Sequence, residues 1–172
     1  MKLDTLVDDI YGQLGKLFEG EAFNLSDEDL DMTASRIKDS LLAWARPSER
    51  NSEFSLRMSN VGRPARQLWY EQNIPTESTT PHPSLQIKFL YGHILEEILL
   101  MLVRAAGHNV TDEQKEITVK GIKGHIDCKI DGEVVDVKTA SKFAFNKFRE
   151  GRLSEDDPFG YMSQLAGYEE AE

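Results

Sequence analysis

Residues 124–141 read GHIDCKIDGEVVDVKTAS. Asp131-Gly132 stands between two alternating runs, and Asp-Gly is a strong signal for a two-residue hairpin turn. A turn there sets the register. Ile130 faces Glu133, Lys129 faces Val134, Cys128 faces Val135, Asp127 faces Asp136, and His125 is expected opposite Lys138. Side chains alternate along a strand. One face then carries Ile126, Cys128, Ile130, Val135 and Val137 and is expected to pack on a core. The other carries His125, Asp127, Lys129, Asp136 and Lys138. Carboxylates directly opposite have Cβ atoms about 4.5–5.5 Å apart. One pKa rises unless something positive lies between them. Lys138 offers one such charge. A divalent cation offers more, because hard cations such as Mg²⁺ take oxygen ligands, often one or two carboxylates plus substrate phosphates.

Around this hairpin the chain has 172 residues, enough for one domain with a core. A single cysteine, Cys128, excludes an internal disulfide and leaves too few thiolates for a cysteine-ligated zinc or an iron–sulfur cluster. Cys128 is expected as a small core residue. The N-terminal stretch is too acidic for a signal peptide. The apolar stretch 85–106 contains Lys88, Glu96, Glu97 and Arg104, so it reads as a buried helix and not a membrane span, with a cytoplasmic location expected. The net charge of −10 argues against general nucleic-acid affinity, but the charge is unevenly spread. Residues 1–31 hold nine acids and two lysines, whereas 57–70 has three arginines and no acid. Residues 138–152 have five basic residues against Glu150 alone. Such patches beside a charged hairpin suit phosphates.

Helical spacing of Leu3, Leu6, Val7, Ile10, Leu14 and Leu17 predicts a first helix. Ser26 followed by acids predicts the N-cap of a second, running to about Ala45. Residues 48–58 read as a polar connector, Pro64 as the first position of a third helix, and 75–83, with three prolines, as loop. Ser84 is expected to cap a long helix ending near Gly107. A strand at 116–120, the hairpin, a basic segment and a last helix follow. The expected organisation is an α-helical N-terminal extension over 1–50 and an α/β core over 51–172.

Glu96 and Glu97 add carboxylates within the apolar long helix, where burial is costly unless the group is paired or bound to a metal. Gly92 lies one turn before Glu96 on the same face. Glu97 is expected to reach solvent at the edge. Gln164 and Tyr168 share a face of the last helix.

In order, these elements are Gly92 to Glu96; Gly124 and Asp127; Asp136, Lys138 and Thr139; Gln164 and Tyr168. The set resembles the PD-(D/E)XK nuclease superfamily, in its RecB-type and lambda-exonuclease-like branch. Ser59, Arg66, Trp69 and Tyr70 also resemble a segment upstream of that core, with Pro64 about where many members have a cysteine; this departure too excludes the iron–sulfur variant. The resemblance covers roughly residues 55–170. It implies a restriction-endonuclease-like core: a helix, a three-stranded, mainly antiparallel hairpin sheet, and a helix. The chain stops four residues after Tyr168, short of the usual end of that core, so its C-terminal part is expected to be missing or completed by a second chain or a homo-oligomer.

The resemblance implies metal-dependent hydrolysis of DNA, by an exonuclease or end-processing enzyme of phage or bacterial recombination, repair or replication. Asp127, Asp136, Glu96 and the Val137 carbonyl would ligate Mg²⁺ or Mn²⁺, and Lys138 would act beside them. Gln164, Tyr168, Arg63, Arg66, Thr139, Ser141 and Lys142 would hold DNA, with an ion pair near the core as an equal alternative for Arg66. His93 is read as a non-ligand, and His125 is left open. Two other readings stand beside this one: an inactive or partner-completed DNA-binding subunit of the same fold, and an acidic protein-interaction module.

Overall fold

The Asp131-Gly132 turn forms with both residues at positive φ, 53° and 93°. Positive φ at both positions matches the right-handed twist of the flanking strands. The ladder pairs Cys128 with Val135, Lys129 with Val134 and Ile130 with Glu133, the expected register. The structure, a computed structural model, describes residues 3–46, 54–74 and 82–171. The expected loop at 75–81 and most of the connector at 48–53 fall outside them.

Among the described residues six α-helices accompany two small antiparallel sheets. The helices are α1 (Leu6–Phe18), α2 (Asp27–Ala45), α3 (Ala65–Asn73), α4 (Ser84–Ala105), α5 (Lys142–Arg149) and α6 (Tyr161–Glu170). The strands are β1 (Val110–Thr111), β2 (Glu116–Val119), β3 (Ile122–His125), β4 (Cys128–Ile130) and β5 (Glu133–Val135). One sheet has the order β1-β4-β5; β2 and β3 form the other.

Two expectations about the sheet are corrected. The third strand beside the hairpin is β1, not the strand at 116–119. And the strand entering the hairpin breaks at Ile126–Asp127: His125 belongs to β3 and pairs with Glu116, so it does not face Lys138. Through the break the Ile126 N–H donates to Lys115 O and Asp127 O accepts from the Gln114 N–H, so this stretch stays bonded to the segment before β2 before the chain enters β4. The apolar face is therefore shared between two cores. Ile126 packs with Met58, Ile117 and Tyr168. Cys128 and Ile130 pack with Leu100 and Val103 of α4. Burial pushes the Cys128 thiol up to about 12, as befits an inert core residue.

The N-terminal helical segment shares this second core through Leu3, Leu6 and Ile10. Polar contacts reinforce the attachment. His108, whose side chain is fully buried, lies between Asp131 Oδ2 (2.7 Å from Nδ1) and Asp9 Oδ2 (3.2 Å from Nε2). The hairpin turn is thereby tied to α1. Arg36 of α2 and Arg104 of α4 both pair with Glu113.

Ser26 caps α2, its Oγ accepting from the Asp29 N–H at 3.0 Å. Ser84 does not cap α4: it is the first helical residue, Pro83 is the cap, and Ser84 Oγ contacts His82 Nδ1 instead. Pro64 likewise stands just before α3. Nor is α4 buried all round. Its inner face holds Glu97, Leu100, Val103 and Ala105, while Ile87, Phe89, Tyr91 and Leu95 are exposed. An all-round apolar helix needs neighbours on every side, and the described residues cover one side. Strand β5 likewise has a strand partner on one side only among them. No described helix is long and apolar enough to cross a membrane.

Candidate active site

Just beyond the last ladder pair, where β4 and β5 diverge, Asp127 and Asp136 approach a common lysine. Lys138 Nζ lies 2.7 Å from Asp136 Oδ1 and 3.9 Å from Asp127 Oδ2. The same Asp127 oxygen accepts the Val137 N–H at 2.6 Å. Burial, then the Asp136 charge, raises the Asp127 pKa, against the pull of Lys138 and the Val137 N–H. Burial acts to lower the Lys138 pKa, but its hydrogen bond to Asp136 and the two aspartate charges prevail, and the net shift is upward. The lysine is held as an ammonium between carboxylates.

Glu96 enters from α4. Burial, and then the Asp127 charge, pushes its carboxyl up to about 7, against a 2.7 Å hydrogen bond from Gln114 Nε2. Nothing in the sequence pointed to Gln114; it stands at φ 53° in the turn before β2, reachable only once that turn is folded. Gly92 faces the segment after Lys138, since a β-carbon there would lie 3.9 Å from Thr139 Oγ1. Glu97 does not reach solvent as expected. It is buried, its Oε2 is 4.0 Å from Arg36 Nη1, and burial raises its pKa against that arginine.

The α6 residues close the site from behind. Gln164 Nε2 donates to Tyr168 Oη (2.6 Å) and approaches Asp136 Oδ1 (3.4 Å). Both side chains are buried, so their polar atoms engage Asp136 and each other. Gly124 explains the G-x-x-D spacing: a β-carbon there would come within 2.6 Å of Met58 and 3.1 Å of Tyr168 Cε1. The glycine lets β3 press against the tyrosine that carries Gln164.

A cleft of about 690 Å³ leads to Asp127, Gln164 and Tyr168, walled by Arg57, Ser59, Lys123 and His125 among others. From sequence Arg57 counts only as one of the three arginines of 57–70 and Lys123 not at all; a bridge between their backbones makes them neighbours. Arg63 and Arg66 do not line this cleft. Arg63 pairs with Glu71 at 3.2 Å, and exposed Arg66 lies over the Tyr70 ring at 5.7 Å. Ser141 caps α5, its Oγ accepting the Ala144 N–H at 3.3 Å; Lys142 is exposed at the start of that helix.

Among the described residues no three His, Cys, Asp or Glu side chains converge into a ready-made metal cage. Burial first, then the Asp136 charge, raises Asp127, and burial first, then the Asp127 charge, raises Glu96; these carboxylates are nevertheless oxygen donors of the kind hard cations take.

A pH dependence follows. A carboxyl whose folded-state pKa is about 7, against an ordinary 4.5, favours the folded state fully below pH 4.5. That contribution is lost as pH rises through about 7. For the partly exposed Glu96 the loss is on the order of 1 kcal/mol after solvent screening. In EDTA, Glu96→Gln is expected to gain this amount over the parent between pH 5 and pH 8 in urea unfolding. Parallel pH profiles for the two proteins would refute the assignment.

No family model matches the chain, and no curated protein or solved structure matches it.

Proposed function

We propose that this chain has a restriction-endonuclease-like core and is a metal-dependent DNA nuclease that works on ends during recombination, repair or replication. The observation supporting this most is the convergence on one lysine. Asp127 and Asp136 of the hairpin gather around Lys138, Gln164 of α6 approaches Asp136, and Glu96 of α4 is near enough to feel the Asp127 charge.

Mg²⁺ or Mn²⁺ held by Asp127, Asp136, Glu96 and the Val137 carbonyl would polarise the scissile phosphate and lower the pKa of the attacking water. The chain's own residues do the rest. The Val137 N–H orients Asp127, Gln164 supports Asp136, and Gln114 holds Glu96. Lys138 offsets charge that builds on the phosphate and orients the water. Arg57 and Lys123 draw the backbone into the cleft. A second chain or second copy adding a strand to β5 belongs to the same proposal, supported by the uncovered edge.

One observation favours a second reading, a DNA-binding subunit without activity: Lys138 bridges the two aspartates, and no three donors converge among the described residues. Digestion of plasmid and linear DNA in Mg²⁺, Mn²⁺ or EDTA separates the two. Cleavage that EDTA abolishes is the expected result. Gel-shift binding without cleavage under any metal supports the second reading, and neither binding nor cleavage defeats both.

A further inference from the structure

The segment from Lys138 to Tyr161 builds a second hollow, of about 410 Å³, which Lys138 also lines. Its walls include Phe143, Phe159 and Tyr161, with Lys147 lying over one face of the Phe143 ring at 5.1 Å and pairing with Asp156. The Phe159 and Tyr161 rings are stacked, with centroids 5.5 Å apart, and Phe148 continues the series 5.9 Å from Tyr161. Of the rings lining this hollow, Phe143 is 73% exposed and Phe159 59%. Phenylalanines are among the residues most often buried, so two facing water at one hollow mark a surface that binds something.

The charges indicate what it binds. Lys147 is matched by Asp156 and Arg152 by Glu150, which leaves exposed Lys142 and Arg149 without a partner among the described residues. An apolar protein partner has no use for unmatched cations beside the rings. A strand of nucleic acid uses both, because each nucleotide carries a flat π-face and a negative phosphate. Bases inside a duplex are already stacked and offer no face, so the match is to unpaired nucleotides.

We propose that this surface is a landing platform for a single-stranded nucleic-acid end. Bases stack on Phe143 and Phe159, phosphates run along Lys142 and Arg149, and the strand is led to Lys138. The inference rests on the proposed hydrolysis for its purpose, but it is tested by binding alone.

Fluorescence anisotropy in EDTA, with the full chain, compares labelled oligo-dT, an abasic strand of equal length and a blunt duplex. Phe143→Ala/Phe159→Ala is expected to lose about tenfold or more in oligo-dT affinity, with duplex affinity within about twofold. The parent is expected to bind the abasic strand about tenfold more weakly than oligo-dT. Both rings are exposed, so the variant keeps its core, and circular dichroism checks it; should it misfold, the abasic comparison decides alone. The proposal is overturned if oligo-dT affinity survives the substitutions, if the abasic strand binds as well, or if duplex affinity falls equally. It is also overturned if sedimentation shows that the variant loses a dimer while oligo-dT binding is untouched, because the surface then serves a second copy. Base-dependent binding without hydrolysis in any metal retires the nuclease reading and keeps this one. Hydrolysis with ring-independent binding does the reverse.

Discussion

Lys138→Ala is expected to reduce metal-dependent DNA hydrolysis by a factor on the order of 10²–10³, the usual cost of removing one charge-stabilising donor from a transition state. The ammonium lies 2.7 Å from Asp136 and 3.9 Å from Asp127, so its loss also leaves the two carboxylates with only the Val137 N–H and the Gln164 amide beside them. DNA affinity in EDTA should change far less, because Arg57 and Lys123 remain in the cleft. That split between turnover and binding separates a chemical role from a structural one. Lys138→Arg restores the charge but not the compact point donor, and is expected to recover folding and DNA binding while activity stays low. Asp127→Asn should match the alanine variant in activity. Degradation that survives Lys138→Ala sinks the mechanism.

Gly160→Ala is expected to destabilise the fold by about 2–4 kcal/mol, combining a left-handed backbone with overpacking. Gly160 has φ 75°, and its ideal β-carbon would lie 2.5 Å from Gly62 Cα. Two backbones touch there, and neither yields as a flexible side chain would. The contact sets the start of α6, and with it the height at which Gln164 meets Asp136. Gly92→Ala is the control. Its β-carbon meets nothing nearer than Thr139 Oγ1 at 3.9 Å, and the site is helical, so a gain of about 0.5–1 kcal/mol is expected. Urea unfolding followed by circular dichroism reads both. A Gly160→Ala midpoint equal to the parent's would mean that the Gly62 contact is not made.

Some of the site was legible because it is local. The turn at 131–132, the register of β4 on β5 and the meeting of Asp127, Asp136 and Lys138 lie within a dozen residues. The Ser26 cap is likewise written within three residues of itself. The pattern of glycines and polar residues also led to Glu96, Gln164 and Tyr168. The sequence did not show that Gln164, bonded to Tyr168 one turn on, also reaches Asp136, because that contact joins two elements far apart in the chain. Glu97 was misread for a similar reason, because Arg36, which makes its burial tolerable, is 61 positions earlier in the chain.

The order of residues alone determined the hairpin, its pairing and the crowding of two acids on one lysine, since turn chemistry and strand alternation act between near neighbours. Tertiary structure decided the rest: the break at Ile126 that sends His125 to Glu116, the buried link from Asp9 through His108 to the turn, the Gln114 hold on Glu96, and the cleft shared by Arg57 and Lys123. The links from Asp9, Gln114 and Arg57 join residues that meet only after longer loops have closed, and the break at Ile126 is set by how the short β2–β3 hairpin meets the next sheet. The entropy of that closure is repaid by packing in the two cores, which no local periodicity encodes.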